Sequence, residues 1–345
     1  MNRLVVSFIT LLMAVTVSAQ QSSGPVLPPA ELARQEQQRA VQQPYNNTPV
    51  WQNARGAVAG YTSIPGPEAG VLIQDGGQEW RALRNGTFSV IGGWALVAMM
   101  LLIGSFYAWK GTIQLHEAPT GRLIERFTLL ERMSHWATAI SFVVLAISGL
   151  ILAFGKTLLI PVIGFWLFSW IAILAKNLHN FLGPLFIVSC VITFVMFVRD
   201  NFPKAVDFKW IVNFGGLISG KHVPSEKFNA GEKIWFWGGL MTLGIVVGAS
   251  GLVLNFPNFG QTRALMQLAN LVHLTGAVLF MLGALGHIYM GTLGMAGALS
   301  AMKTGQVDEA WAKEHHEIWY DEVKAGKTPV TRSRGQQPLA VGGDD

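Results

Sequence analysis

The stretch from Asn270 to Thr292, NLVHLTGAVLFMLGALGHIYMGT, contains no Asp, Glu, Lys or Arg. It is long enough to cross the hydrocarbon core of a bilayer as a helix. It also carries two histidines, His273 and His287, fourteen residues apart. At about 100° per residue, fourteen steps return to nearly the same helix face, and the rise separates the two rings by roughly 20 Å along the axis. One helix therefore offers two imidazoles on one side at two depths. An ionisable side chain inside a membrane span is costly and points to function.

Composition agrees with a membrane setting. The chain is 51% hydrophobic and only 13% charged, where soluble domains carry about 25%. Cys190 is the single cysteine. That excludes a disulfide framework, a cysteine zinc site, an iron–sulfur cluster and a C-x-x-C-H haem attachment within the chain. Any metal has to be held by histidine or carboxylate.

Taken in order, residues 1–19 read as a signal peptide. Arg3 is the basic head, Leu4 to Val17 the short apolar core, and Val17-Ser18-Ala19 a small-residue cleavage site. An uncleaved anchor is the other reading. Residues 20–86 are rich in Gln, Pro, Gly and Asn and are expected to be an extended, low-complexity exported segment, either a wrap around a partner or a plain tether. The first span, residues 87–110, has no histidine and no acid and is read as a packing or anchoring helix. Four more spans are predicted at about Ser134–Phe154, Phe168–Val198, Ile234–Leu254 and the opening stretch. Lys176 lies early in the third, either snorkelling to the interface or neutralising an anionic ligand group.

Basic residues orient the chain. Lys110 to Arg132 holds four Lys or Arg, Arg199 to Lys233 six, and the tail from Lys303 six, whereas the opposite connections hold Lys156 and Arg263. The basic side is cytoplasmic by the positive-inside rule. Five spans then put the mature N-terminus in the periplasm and the C-terminus in the cytoplasm, in accord with the signal peptide. Arg81 and Arg84, just outside the first span, run against the rule.

With this topology the intramembrane histidines sort by depth. His179 and His273 fall near the periplasmic face, and His135 and His287 near the cytoplasmic face. Two six-coordinate b-type haems need two imidazoles each at two depths, and neutral imidazole is an ordinary axial ligand to haem iron. Gly149, Gly183, Gly276, Gly283 and Gly286 lie near these histidines and would admit a flat macrocycle, although small residues also serve ordinary helix packing. A zinc site would need ligands converging on one point. His116 and His222 are read as loop residues, and His315 and His316, with Trp311, Trp319 and Tyr320, as surface or docking residues of the tail.

These residues resemble a known family, the gamma (cytochrome b) subunits of membrane-bound respiratory formate dehydrogenase. The resemblance covers roughly Arg122 to Val323. It rests on Arg132-Met-Ser-His135-Trp, on Leu178-His179-Asn-Phe-Leu-Gly183, on Phe228 before Asn229-Ala-Gly231, on His273, on His287-Ile-Tyr-Met, and on the tail from Ala310 to Tyr320. It implies an all-α integral membrane fold, a four-helix bundle with two haem b groups over residues 122–300, followed by a cytoplasmic tail, residues 301–345. The signal peptide, the extension and the first span depart from the short form and resemble a longer variant with one additional N-terminal transmembrane helix. The resemblance further implies a quinone, menaquinone or ubiquinone, bound near Asn229, Gly231 and His287. It implies an iron–sulfur beta subunit and a molybdenum or tungsten alpha subunit as partners, in the bacterial inner membrane, with no nucleic acid. Asn229 also suits a helix N-cap. No catalytic residue is expected here, formate oxidation belonging to a partner. Two other readings share part of this pattern: the cytochrome b subunit of a hydrogenase or thiosulfate reductase, and a haem-free membrane anchor, assembly protein or transporter.

Overall fold

A computed structural model of the protein describes residues 29–42, 77–216 and 223–333. The predicted signal peptide and His222 lie outside these residues. The chain divides into two compact units, Met1–Leu83 and Arg84–Asp345. In the first, α1 (Pro29–Gln42) is helical where an extended segment was expected. Pro29 begins the helix, where its missing N–H costs nothing, and Ala, Leu, Glu, Gln and Arg are good helix formers. Local propensity thus overrides the polar composition.

Among the described residues, five helices are long and apolar enough to cross a membrane: α2 (Gly77–Lys110), α3 (Leu129–Leu158), α4 (Ile160–Asn201), α6 (Ala230–Asn255) and α7 (Arg263–Gly294); the short α5 (Ala205–Val212) lies between α4 and α6 in the chain. All five predicted spans are present, and each helix is longer than predicted. The starts have identifiable causes. Thr128 and Glu131 form a reciprocal capping box at α3, Asn229 and Glu232 form one at α6, and the Thr262 side chain accepts from the Leu265 N–H at α7. Gly164, at φ 73°, interrupts α4 near its start, so the continuous part of that span begins close to the predicted Phe168.

Helix α3 packs along α4, α6 along α7, and α6 against α4. Phe142 of α3 meets Phe280 of α7 at 4.7 Å, and Phe186 of α4 meets Phe280 at 6.0 Å. These contacts close a four-helix bundle. Helix α2 packs on the outside of α7. Large apolar side chains such as Val90, Trp94, Leu101, Ile140, Trp166 and Phe181 point outward, as they do where the surrounding medium is hydrocarbon. The protein is an integral membrane helical bundle.

The tail departs from expectation. Strand β1 (Leu123–Glu125) pairs antiparallel with β2 (Gln306–Asp308), so that Ile124 faces Val307. Around this ribbon fold α8 (Ala298–Lys303), α9 (Glu309–His315) and α10 (Glu317–Lys324). Phe127, Phe197, Phe236, Val307, Trp311 and Trp319 form one buried cluster, and His316 is 1% exposed. His316, Trp311 and Trp319 are therefore core residues of a cap on the bundle end, not surface residues. His116 is exposed, as expected, and bonds Glu314 at 2.8 Å.

Candidate functional site

The structure brings the four intramembrane histidines together in the two pairs expected from depth. His179 of α4 and His273 of α7 face each other with ring centroids 6.0 Å apart. His135 of α3 and His287 of α7 do so at 6.2 Å. One helix supplies a ring to each pair, as the fourteen-residue spacing requires.

In the outer pair, each ring is held by a neighbouring helix. His273 Nδ1 lies 3.0 Å from the Val247 carbonyl oxygen, which can only accept. The proton is therefore on Nδ1, and Nε2 keeps its lone pair. Ser250 Oγ lies 3.2 Å from the same Nδ1. Ser148 Oγ lies 2.9 Å from His179 Nδ1. Beside each serine stands a glycine that the ring crosses. A Cβ on Gly149 would meet His179 Cε1 at 3.3 Å, and one on Gly251 would meet His273 Cε1 at 3.2 Å. The same device thus occurs twice, as Ser148-Gly149-Leu150 on α3 and Ser250-Gly251-Leu252 on α6.

This duplication is visible in the sequence as Ile147-Ser-Gly-Leu-Ile-Leu152 and Ala249-Ser-Gly-Leu-Val-Leu254. Reading the histidines alone missed it. The two serines orient the imidazoles beside them, the role that hydrogen-bond partners play for histidines that bind a metal.

A cavity of about 430 Å³ surrounds the outer pair, lined by His179, His273, Gly149, Gly183, Gly251 and apolar side chains of all four bundle helices. Arg84, Lys176, Asn180, Asn255 and Asn270 are the cations and amides of its lining. Lys176 is exposed and also lines the cavity, so the snorkelling and ligand-facing readings coincide in one position.

The inner pair is built differently. His287 stacks on Trp235 of α6, with centroids 5.2 Å apart and planes 16° apart. Trp235 belongs to a π-helical stretch, Trp235–Leu243, a local widening often found at functional positions. A Cβ on Gly283 would fall 2.6 Å from the Trp235 ring, and one on Gly239 2.5 Å; these glycines make room for the indole. His135 Nδ1 is buried without a hydrogen-bond partner.

The residues fit a haem at each pair. Two metal–imidazole bonds of about 2 Å each, added to the two ring radii, put centroids roughly 6 Å apart, as observed. Among the described residues no three His, Cys, Asp or Glu side chains gather as a metal site; each pair presents two imidazoles.

Asn229 and Gly231 stand at the start of α6. The Asn229 side chain accepts from the Glu232 N–H at 3.0 Å, and Glu232 accepts from the Asn229 N–H at 2.9 Å. A Cβ on Gly231 would meet the Trp210 ring at 2.9 Å. These residues cap α6, and Trp235, one turn beyond Gly231, is what reaches His287.

Comparison with known proteins agrees with this geometry. The family model of prokaryotic cytochrome b561 matches residues 126–305. The nitrate-inducible formate dehydrogenase cytochrome b556(Fdn) subunit of Escherichia coli (strain K12) is 28% identical over 221 residues, covering 62% of this chain and 98% of that protein. The formate dehydrogenase cytochrome b556(fdo) subunit of the same strain is 32% identical over 210 residues, covering 58% and 93%. The formate dehydrogenase cytochrome b556 subunit of Haemophilus influenzae is 26% identical over 208 residues, covering 57% and 82%. Helix α2 and everything before it precede the region matched by the family model. With its two opposed histidine pairs in a membrane bundle, the chain belongs to the prokaryotic cytochrome b561 family, among the cytochrome b (gamma) subunits of formate dehydrogenase.

Proposed function

We propose that the chain carries two b haems and passes electrons from a partner iron–sulfur subunit, across the membrane, to a quinone at the cytoplasmic side. The observation that carries this reading is the placement of His273 and His287 on one helix, each opposed by a second imidazole, at 6.0 and 6.2 Å. The haem supplies a one-electron iron centre at each depth; the protein's part is positioning and tuning. Ser148, Ser250 and the Val247 carbonyl hold the outer imidazoles. Trp235 holds the inner one on α7.

Formate would be oxidised on a molybdenum or tungsten subunit, and the two electrons released would reduce one quinone with two protons taken from the cytoplasm. Quinone is assigned to the region where α6 begins, near Asn229, Gly231 and His287. The Asn229 cap leaves first-turn N–H groups of α6 at that end. The basic connections support a bacterial inner-membrane orientation with the cytoplasmic cap formed by the tail, and a periplasmic mature N-terminus after signal-peptide cleavage.

The test is a pyridine haemochrome assay on the purified complex, followed by quinone reduction with Asn229→Ala. Two haem b per chain are expected, and the Asn229→Ala protein should keep both while reducing quinone more slowly. One haem or none would overturn the two-haem reading. Unchanged quinone reduction in the variant would remove the quinone assignment.

A further inference from the structure

Helix α2 precedes the region matched by the family model, yet it packs on residues that line the outer cavity and contributes one residue, Arg84, to the lining. Gly92 and Gly93 face α7 and α3. A Cβ on Gly92 would lie 2.9 Å from Val278, and one on Gly93 3.3 Å from Phe154. Val278 and Phe154 both line the cavity. At the same end of α2, Arg84 itself enters the lining. Its Nε donates to Asn270 Oδ1 at 2.8 Å and its Nη1 to Asn85 Oδ1 at 2.6 Å. Asn270 lines the cavity and lies one turn before His273 on α7.

The charges of the lining are one-sided. Among the described residues that line it, Arg84 and Lys176 are the two Lys or Arg, and none is Asp or Glu. Among the described residues, the side chains that bond Arg84 are neutral amides, which leave its charge uncancelled. A cation at an apolar cavity in a membrane bundle is costly without an anion. A haem b is an apolar macrocycle with two carboxylates at one edge, and apart from its two histidines the lining is largely apolar, with two cations and three asparagines.

We propose that Arg84 pairs with a haem carboxylate at the outer site, so that the additional N-terminal helix is part of the cofactor site and a positioning element for its potential. The proposal rests on the assignment of a haem to His179 and His273. Removing the positive charge favours the oxidised, more positive iron, so the outer haem becomes harder to reduce.

The test uses the full complex in detergent. The haem content of the unsubstituted protein is measured first; absence of an outer haem there would refute the haem assignment itself. Given two haems, spectroelectrochemical titration of Arg84→Gln is expected to lower the one-electron reduction equilibrium of the outer haem about tenfold, or about 59 mV for one electron. The inner haem should keep its potential, and Arg84→Lys should restore most of the outer value. Arg84→Met, which keeps length without charge, provides the second neutral variant should the Gln protein not accumulate. Asn270→Ala, which removes the tie but leaves the charge, should shift the outer haem less than Arg84→Gln. Unchanged potentials in the neutral variants, or an equal shift in Arg84→Lys, would overturn the proposal.

Discussion

Ser250 lies 3.2 Å from His273 Nδ1, and the glycine that follows it lets the same ring cross α6 closely. Ser148 and Gly149 do the same for His179 on α3. The outer site is therefore made by two serine–glycine steps, one in each helical hairpin, each holding the imidazole of the adjacent helix with Nε2 turned from the hydrogen bond.

Gly251→Val and Gly149→Val should each expel the outer haem. Their Cβ positions lie 3.2 and 3.3 Å from an imidazole carbon, and the added methyls drive the ring off its site. Overpacking of this kind costs about 1–3 kcal/mol. Gly104→Ala, where a Cβ meets nothing within 4 Å, is the control. Haem content per chain by reduced-minus-oxidised spectra should fall by half in the first two and stay unchanged in the third.

The cap on the bundle end should loosen on acidification. Burial pushes His316 down to about 3, and neighbouring Arg126 adds to the effect. Its Nδ1 donates to the Glu226 carbonyl at 2.6 Å, which fixes the tautomer and only partly offsets the downward shift. The unfolded segment takes up the proton near pH 6.5, while the folded one resists it until about 3. The unfolded form thus binds more protons between those values, so this contribution is full above about pH 6.5 and is lost as pH falls toward 3. The hydrogen-exchange protection of residues 309–324, taken relative to the intrinsic rate at each pH, should fall between pH 7 and 5, and His316→Asn should flatten that dependence. Equal slopes in both proteins would refute it.

Arg126 ties the cap to the start of α6. Its Nη2 donates to the Lys227 carbonyl at 2.7 Å and to Glu232 at 2.9 Å, and its guanidinium lies 5.2 Å from the Trp311 ring centre. Arg126→Met leaves Glu232 without its partner. A fully buried broken pair costs about 3–5 kcal/mol. Glu232 keeps 32% of its side chain exposed, so roughly 2 kcal/mol is expected. Thermal unfolding of the purified complex should fall accordingly, while the outer haem spectrum is unchanged.

The spans and the histidine pairs were legible in the sequence because both follow from one-dimensional quantities. Apolar run length gives the helices, and fourteen residues along Asn270–Thr292 give two depths on one face. The cap was not legible. Its core depends on Ile124 meeting Val307 and on Trp311 and Trp319 packing against Phe127 and Phe197, residues far apart in the chain whose polar neighbours suggest a solvated tail. Trp235 was missed for a related reason. It reaches His287 from a π-helical stretch, where 3.6-residue phasing does not apply. The Ser-Gly-Leu steps were present as a repeat, but their meaning required knowing which helices are neighbours. Arg84 appeared only as a violation of the charge rule, and the structure gives it a cavity to face.

The pairing of the histidines is tested most directly by single substitutions, with each haem resolved by low-temperature optical spectra and redox titration. His179→Ala and His273→Ala should each abolish the same haem, and His135→Ala and His287→Ala the other. Loss of different haems from His179→Ala and His273→Ala, or retention of both, would contradict the assignment.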